Sequence, residues 1–442
     1  MLDGVPGRLV AVKLYQATTM HTPRNPFTEA DALEAFSDGG VVVQDGKIVE
    51  SGEFSKLEKT FLDAEIIDLR PGFLLPGFVD CHVHFPQVAV IGAMGLRLLD
   101  WLETRTLPFE ARLADTDFAR EVARDFLTHL ARNGTTTAMV FGAHFRDAMH
   151  AFFQEAERTG LRITSGMVLS DRMLRPELHQ TPRDALESGL ELIRAWHNRG
   201  RLRYAVMPRF SLSCTDEMLG VCRALLESSP GLFFHTHINE NHREIETVRE
   251  LFPDAQDYLG TYERHDLVTR RSVFAHSVHP TDSELTRLAR AGSSIAHCAS
   301  SNAFIGSGLF PMRRHLEAGV RVALGSDVGG GTGFSILKEG LQAYQMQMLH
   351  PDGVPLDPAR LLYLATNAGA EALELPEIGD FTPGKAFDAV LIQPHAGSTL
   401  ARTLALSPNL EAALGSIFTL GNEDSVARVW VGGEDVLART NA

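Results

Sequence analysis

The chain has 442 residues, 44% of them hydrophobic and 22% charged, a balance that fits an ordinary globular protein and excludes disorder or fibrous structure. Forty-one basic against 56 acidic residues give a formal net charge of -15, which repels phosphate backbones and anionic lipid, so neither a nucleic-acid nor a membrane partner is expected. Four scattered cysteines exclude a disulfide framework and a cysteine zinc site, and the chain shows neither a signal-peptide pattern nor an apolar run of roughly 18 residues, so a cytoplasmic protein is expected.

In chain order, residues 1–75 predict short strands over 9–15, 40–43, 47–49 and 65–69, with a turn at Asp45-Gly46. Each end of the chain is too small to hold a core alone. Residues 381–442 repeat the pattern over 389–392, 416–419 and 426–431, so the two ends are expected to share one small β-sandwich domain. Between them, residues 76–380 alternate β-rich runs with amphipathic stretches. The runs are 74–84, 135–141, 162–169, 203–210, 232–237, 272–276, 294–297 and 321–327, and helices are predicted over 117–132, 145–158, 182–198, 240–251, 281–291 and 335–348. Eight strand-helix units predict a distorted (β/α)8 TIM barrel with its chemistry at the C-terminal strand ends.

Those ends carry a distinctive set of side chains. The first reads Asp80-Cys81-His82-Val83-His84, and residues i and i+2 of a strand share a face, so two imidazoles point into one mouth. A lone H-x-H pair is also common in ordinary cores. Here, however, the fifth run ends His235-Thr236-His237, the sixth at His276 and the eighth at Asp327. Neutral imidazoles with a carboxylate suit zinc. Spacing alone does not choose between His235 and His237. Glu240, just beyond, is a carboxylate placed to move protons, or else a helix-start residue facing the dipole. Arg209 offers only donors and Gln87 both donates and accepts, which together suit a ring carrying a carbonyl. Trp101 and Phe210 are candidates for stacking on a planar ring. The run Gly329 to Gly333 lacks the Lys-Ser/Thr of a phosphate loop and reads as the loop after the eighth strand.

This set resembles the amidohydrolase superfamily, whose barrels carry H-x-H after strand one, histidines after strands five and six and aspartate after strand eight. The resemblance covers nearly the whole chain, including the Pro383 to Ala389 segment near its end. Within the superfamily the wording is similar to the guanine deaminase family. It is carried by Pro76 to Asp80, Pro86-Gln87, Leu99 to Leu102, Asn133 to Thr137, Ala296 to Cys298 and above all Pro208-Arg209-Phe210-Ser211-Leu212-Ser213-Cys214.

The resemblance implies one zinc ion per chain held by His82, His84, His237 and Asp327, which selects His237 over His235. It implies catalytic roles for Glu240, Asp327 and His276. It further implies a purine site formed by Gln87, Arg209, the backbone of Phe210 and Glu240, bordered by His84, His237 and Asp327, in which guanine becomes xanthine and ammonia. Cys81, Ser277, Ala299-Ser300 and Gly329 depart from the family wording without removing a ligand. A homodimer is expected. The alternatives are an aminohydrolase or chlorohydrolase of another heteroaromatic ring, and a metal-free barrel used as a scaffold.

Overall fold

The computed structural model describes residues 12–440. The chain opens with β1 (Lys13–His21), β2 (Glu34–Gln44), β3 (Lys47–Glu53) and β4 (Glu65–Pro76). Its middle carries β5 (Phe78–His84), β6 (Thr135–Phe141), β7 (Arg162–Gly166), β8 (Val168–Leu169), β9 (Leu202–Pro208), β10 (Phe233–Ile238), β11 (Ser272–His276), β12 (Ser294–His297) and β13 (Arg321–Leu324). It closes with β14 (Ala389–Ile392), β15 (Val426–Val431) and β16 (Glu434–Asp435).

All the middle strands except the short β8 run side by side in chain order, each parallel to the next, and β8 pairs with β9. Backbone bonds close the circle: Asp327 N–H donates to the His82 carbonyl at 2.9 Å, and His84 N–H to the Val328 carbonyl at 3.1 Å. This is the expected (β/α)8 barrel. Parallel strands covered by helices are buried on both faces, and every residue of β5, β6 and β10 is buried. The outer helices obey local rules. Pro182–Trp196 starts at Thr181, whose side chain accepts from the Asp184 N–H, and it buries Ala185, Gly189, Leu192, Ile193 and Trp196 along one stripe.

The two chain ends join in one seven-stranded mixed sheet ordered β16-β15-β14-β4-β1-β2-β3. Tyr15, Phe387 and Trp430 pack together on it, with Tyr15 and Phe387 stacked at 4.7 Å. Arg162, at the start of β7, reaches out of the barrel to Asp388, which also accepts from the Gly432 N–H. One half-buried ion pair thus ties the barrel to the terminal sheet.

Several expected boundaries move. The run 74–84 is two strands: Leu74 to Pro76 complete β4 against β14, and β5 begins after Gly77, where an added Cβ would lie 2.3 Å from the Thr136 side chain. Residues 416–419 are helical. They belong to Leu410–Leu420, whose apolar Ala413, Leu414, Ile417 and Phe418 follow a helical period that a four-residue window hides. The helix expected from Glu240 is His242–Leu251, capped by Asn241. Of the first expected strand, 9–11 lie outside the described residues. Asp327 lies three residues beyond β13, in a loop. All four cysteines are unpaired and buried. Among the described residues no helix is long and apolar enough to cross a membrane.

Candidate active site

Asp80, His82 and His84 alternate along β5. Asp80 accepts from His82 N–H at 3.1 Å, Ser326 N–H at 3.0 Å and Ser326 Oγ–H at 2.5 Å, so it pins the loop carrying Asp327 against the first barrel strand. Burial pushes its carboxyl up to about 7, against the pull of these bonds.

The histidine tautomers follow from their fixed partners. His235 Nδ1 lies 2.8 Å from the Val273 carbonyl, which only accepts, so Nδ1 carries the proton and Nε2 a lone pair. That lone pair is 2.7 Å from His82 Nδ1, which must therefore donate, leaving the His82 Nε2 lone pair free. His237 Nδ1 donates to the Arg209 carbonyl at 2.6 Å, so this ring also turns an Nε2 lone pair inward, and His276 Nδ1 pairs with Asn302 Oδ1 at 2.9 Å. Burial depresses the protonation of His82 to about 3 and lowers that of His84 and His237.

These atoms converge. His84 Nε2 is 3.1 Å from His82 Nε2 and 3.3 Å from His237 Nε2. Asp327 Oδ1 is 3.2 Å from His82 Nε2 and 3.3 Å from His84 Nε2, and its Oδ2 is 3.9 Å from His276 Nε2. Lone pairs and a carboxylate crowded together in a buried space repel unless a cation sits among them, so the donor set fits a metal ion. Cys298 also lies within 4.8 Å of His276 and Asp327 donor atoms, but burial and nearby carboxylates keep its thiol protonated and so a poor ligand. His235 stands behind His82, away from the convergence. Backbone strain gathers here too: Asn239, His276, Ser277 and Asp327 all have positive φ, which accounts for the glycine common in place of Ser277.

Glu240 precedes the N-cap Asn241, and its side chain lines the pocket while Asn241 and Glu244 make the capping bonds of the helix. Its Oε1 accepts from Ser307 Oγ–H at 3.1 Å, and its Oε2 is 3.5 Å from His276 Nε2. Burial, helped by the Asp327 charge, pushes its carboxyl up to about 8, near the range of a proton carrier at neutral pH. Glu244 accepts from the Glu240 and Asn241 N–H groups and fixes this turn.

One narrow pocket brings together His84, Gln87, Arg209, Phe210, His237, Glu240, His276 and Asp327, with Leu98, Trp101, Leu102 and Ile305 as its apolar walls. Every site residue read from the sequence lies in this pocket or, for His82, in the cluster beside it. Trp101 and Phe210 face the pocket as well as the core. Arg209 is not a surface ion-pairing residue: it is 3% exposed and donates to Glu110 Oε2 at 2.6 Å. Gln87 donates to Glu110 Oε1 at 2.8 Å and accepts from Gly329 N–H at 3.2 Å. Gly329 has no room for a side chain, since an added Cβ would lie 2.5 Å from the Gln87 carbonyl. Sequence reasoning missed Glu110, whose only local signal is a carboxylate directly after the apolar stretch Leu107 to Phe109. A larger cavity, of about 570 Å³ beside Phe27, Arg360 and Tyr363, contains none of these groups.

A parallel eight-stranded barrel with histidines and an aspartate converging at its C-terminal strand ends defines a metal-dependent hydrolase architecture. Residues 73–436 match the model of the amidohydrolase family, and the chain belongs to that family. It is similar to the probable guanine deaminase of Deinococcus radiodurans, 58% identical over 435 residues, which span 97% of this chain and 99% of that protein. Among solved structures it resembles E. coli guanine deaminase, with a TM-score of 0.92 and 37% identity over 96% of this chain and 99% of that one. It also resembles the guanine deaminase of C. acetobutylicum with guanine bound in the active site, with a TM-score of 0.89 and 26% identity over 96% and 99% of the two chains.

Proposed function

We propose that this chain hydrolyses guanine to xanthine and ammonia, with one zinc ion held by His82, His84, His237 and Asp327. The observation that carries the reading is a single pocket in which the inward-turned imidazoles and Asp327 face Arg209 and Gln87, in a chain this similar to guanine deaminases. Neutral nitrogen donors with a carboxylate suit zinc, and no lysine stands at the end of β9 to bridge a second ion. When bound, such an ion supplies the Lewis acidity that makes water a nucleophile near neutral pH.

The chain's own groups do the rest. Arg209 donates to the purine O6, Gln87 and the Phe210 backbone fix the ring edge, and Glu240 holds its other side. Asp327 and His276 orient the attacking water toward C2. Glu240 takes one proton of that water at Oε2 and delivers it to ring N3; it then takes the second proton from the new C2 hydroxyl and passes it to the amine, so that the C2–N bond breaks, ammonia leaves and the C2 carbonyl forms. Its Oε1 stays engaged by Ser307 throughout. His84 and His237 border the purine as well as the ion.

Purified protein should release ammonia and xanthine from guanine in equal amounts, and an untouched guanine alongside turnover of another ring would move the reading to a different aminohydrolase. Glu240→Gln is expected to keep its zinc and to lose about 10²- to 10⁴-fold in kcat, the usual contribution of a positioned acid or base. Zinc lost together with activity would make Glu240 a ligand instead. His235→Ala, which removes the acceptor that orients His82, is expected to weaken zinc binding by about 10- to 100-fold in competition with a chelator. Unchanged affinity would mean that His82 needs no such support.

The same reading places the enzyme in the cytoplasm as a homodimer. Four buried thiols without a disulfide fit a reducing compartment, and the exposed Tyr344, Met348 and Leu349 offer apolar surface for pairing. Light scattering of the purified protein measures the assembly.

A further inference from the structure

We infer that Glu110 is a positioning residue that sets the specificity of the purine site by holding Arg209 and Gln87 in one register. The inference rests on the guanine reading of that pocket. Glu110 ends the short helix Leu107–Glu110 in the connection between β5 and β6, and it is 3% exposed. Its two oxygens are divided between the two residues, Oε1 taking the Gln87 amide at 2.8 Å and Oε2 the Arg209 Nη1 at 2.6 Å. The remaining polar neighbour is His144, whose Nδ1 lies 3.6 Å from Oε2 and whose ring nitrogens have no hydrogen-bond partner.

Each contact removes a freedom that would blur recognition. An amide can turn over and exchange its oxygen for its nitrogen. For Gln87 the carboxylate requires nitrogen on one side, and the Gly329 N–H requires oxygen on the other, so one orientation is left. A guanidinium can offer a ligand any of its five N–H groups. With Nη1 tied to Glu110, Arg209 has only its other edge to present. The pair also cancels charge. Burial raises the Glu110 carboxyl, but the Arg209 guanidinium outweighs burial and holds it below its usual range. The pocket therefore offers directed donors without a bare cation, which suits the neutral lactam edge of guanine.

This role predicts a loss tied to one feature of the substrate. 2-Aminopurine keeps the C2 amine of guanine but lacks O6, so its turnover does not draw on Arg209. In Glu110→Gln, kcat/KM for guanine is expected to fall by about 10- to 100-fold, since a misaligned ring of about 1 Å costs that order. For 2-aminopurine, which still uses Gln87 but not Arg209, the fall measured at high enzyme concentration should be at least about tenfold smaller than for guanine, with zinc content unchanged. Equal losses on both purines, or no loss on guanine, would overturn the inference.

Should Glu110→Gln fail to fold, the comparison moves to Arg209→Met against Arg209→Met/Glu110→Gln, in which the carboxylate has no guanidinium left to hold. Only the hold on Gln87 then remains to be lost, so adding Glu110→Gln is expected to lower guanine and 2-aminopurine turnover by the same factor within about threefold, whereas a further tenfold loss confined to guanine would refute a role exerted through Arg209. Wild-type protein inactive on guanine would instead remove the functional reading itself.

Discussion

Exhaustive chelation of the purified protein is expected to abolish guanine turnover, and one equivalent of zinc per chain to restore it. The site cannot adapt to the loss by rearranging. His82 and His237 are each held by a hydrogen bond at Nδ1, and Asp327 is tied to β5 through its own N–H, so three of the four ligands stay aimed at one point. The fold should survive chelation, because Asp80 and Ser326 join the first and eighth strand ends without using the metal donors. Circular dichroism should therefore change little while activity falls below detection. Two equivalents of zinc in the active protein would require a bridged site, and full activity in metal-free protein would end the hydrolytic scheme altogether.

The barrel was legible because parallel strands covered on both faces are written as continuous apolar runs, and all eight expected runs fall where strands are found. Boundaries were less so. Whether residues 74–84 form one strand or two depends on Gly77 packing against Thr136, a contact between strands distant in sequence. Residues 416–419 have strong strand propensity, and only the neighbouring Ala413 and Leu414 reveal the helix that buries Ile417 and Phe418.

The metal-competent residues were equally legible in kind but not in depth. Alternation along β10 puts His235 and His237 on the same face, yet one sits behind His82 and the other beside His84, a difference of layer that the period of a strand does not encode. Glu110 was beyond reach for a related reason. It lies on an irregular connection whose path is set by what it packs against, and its meaning comes from Gln87 and Arg209, 23 and 99 positions away.

Substrate choice gives the other large expected effect. In guanine's pose adenine carries no C2 amine to lose. Turned so that its C6 amine faces the cluster, it carries no carbonyl for Arg209. Either way the buried guanidinium keeps only its bond to Glu110, and its remaining donors lose an acceptor they cannot recover from solvent at 3% exposure. Sites that hydrogen-bond a specific polar group reject analogues lacking it by about 10⁴-fold or more, so kcat/KM for guanine should exceed that for adenine by at least this order, with cytosine rejected as well. Arg209→Ala should lose guanine turnover while keeping zinc, since only its backbone carbonyl supports His237 and that carbonyl survives the substitution. Comparable efficiencies on guanine and adenine would mean that Arg209 does not read the purine oxygen, and the pocket's selectivity would have to come from shape alone, which discriminates far less sharply between rings of equal size.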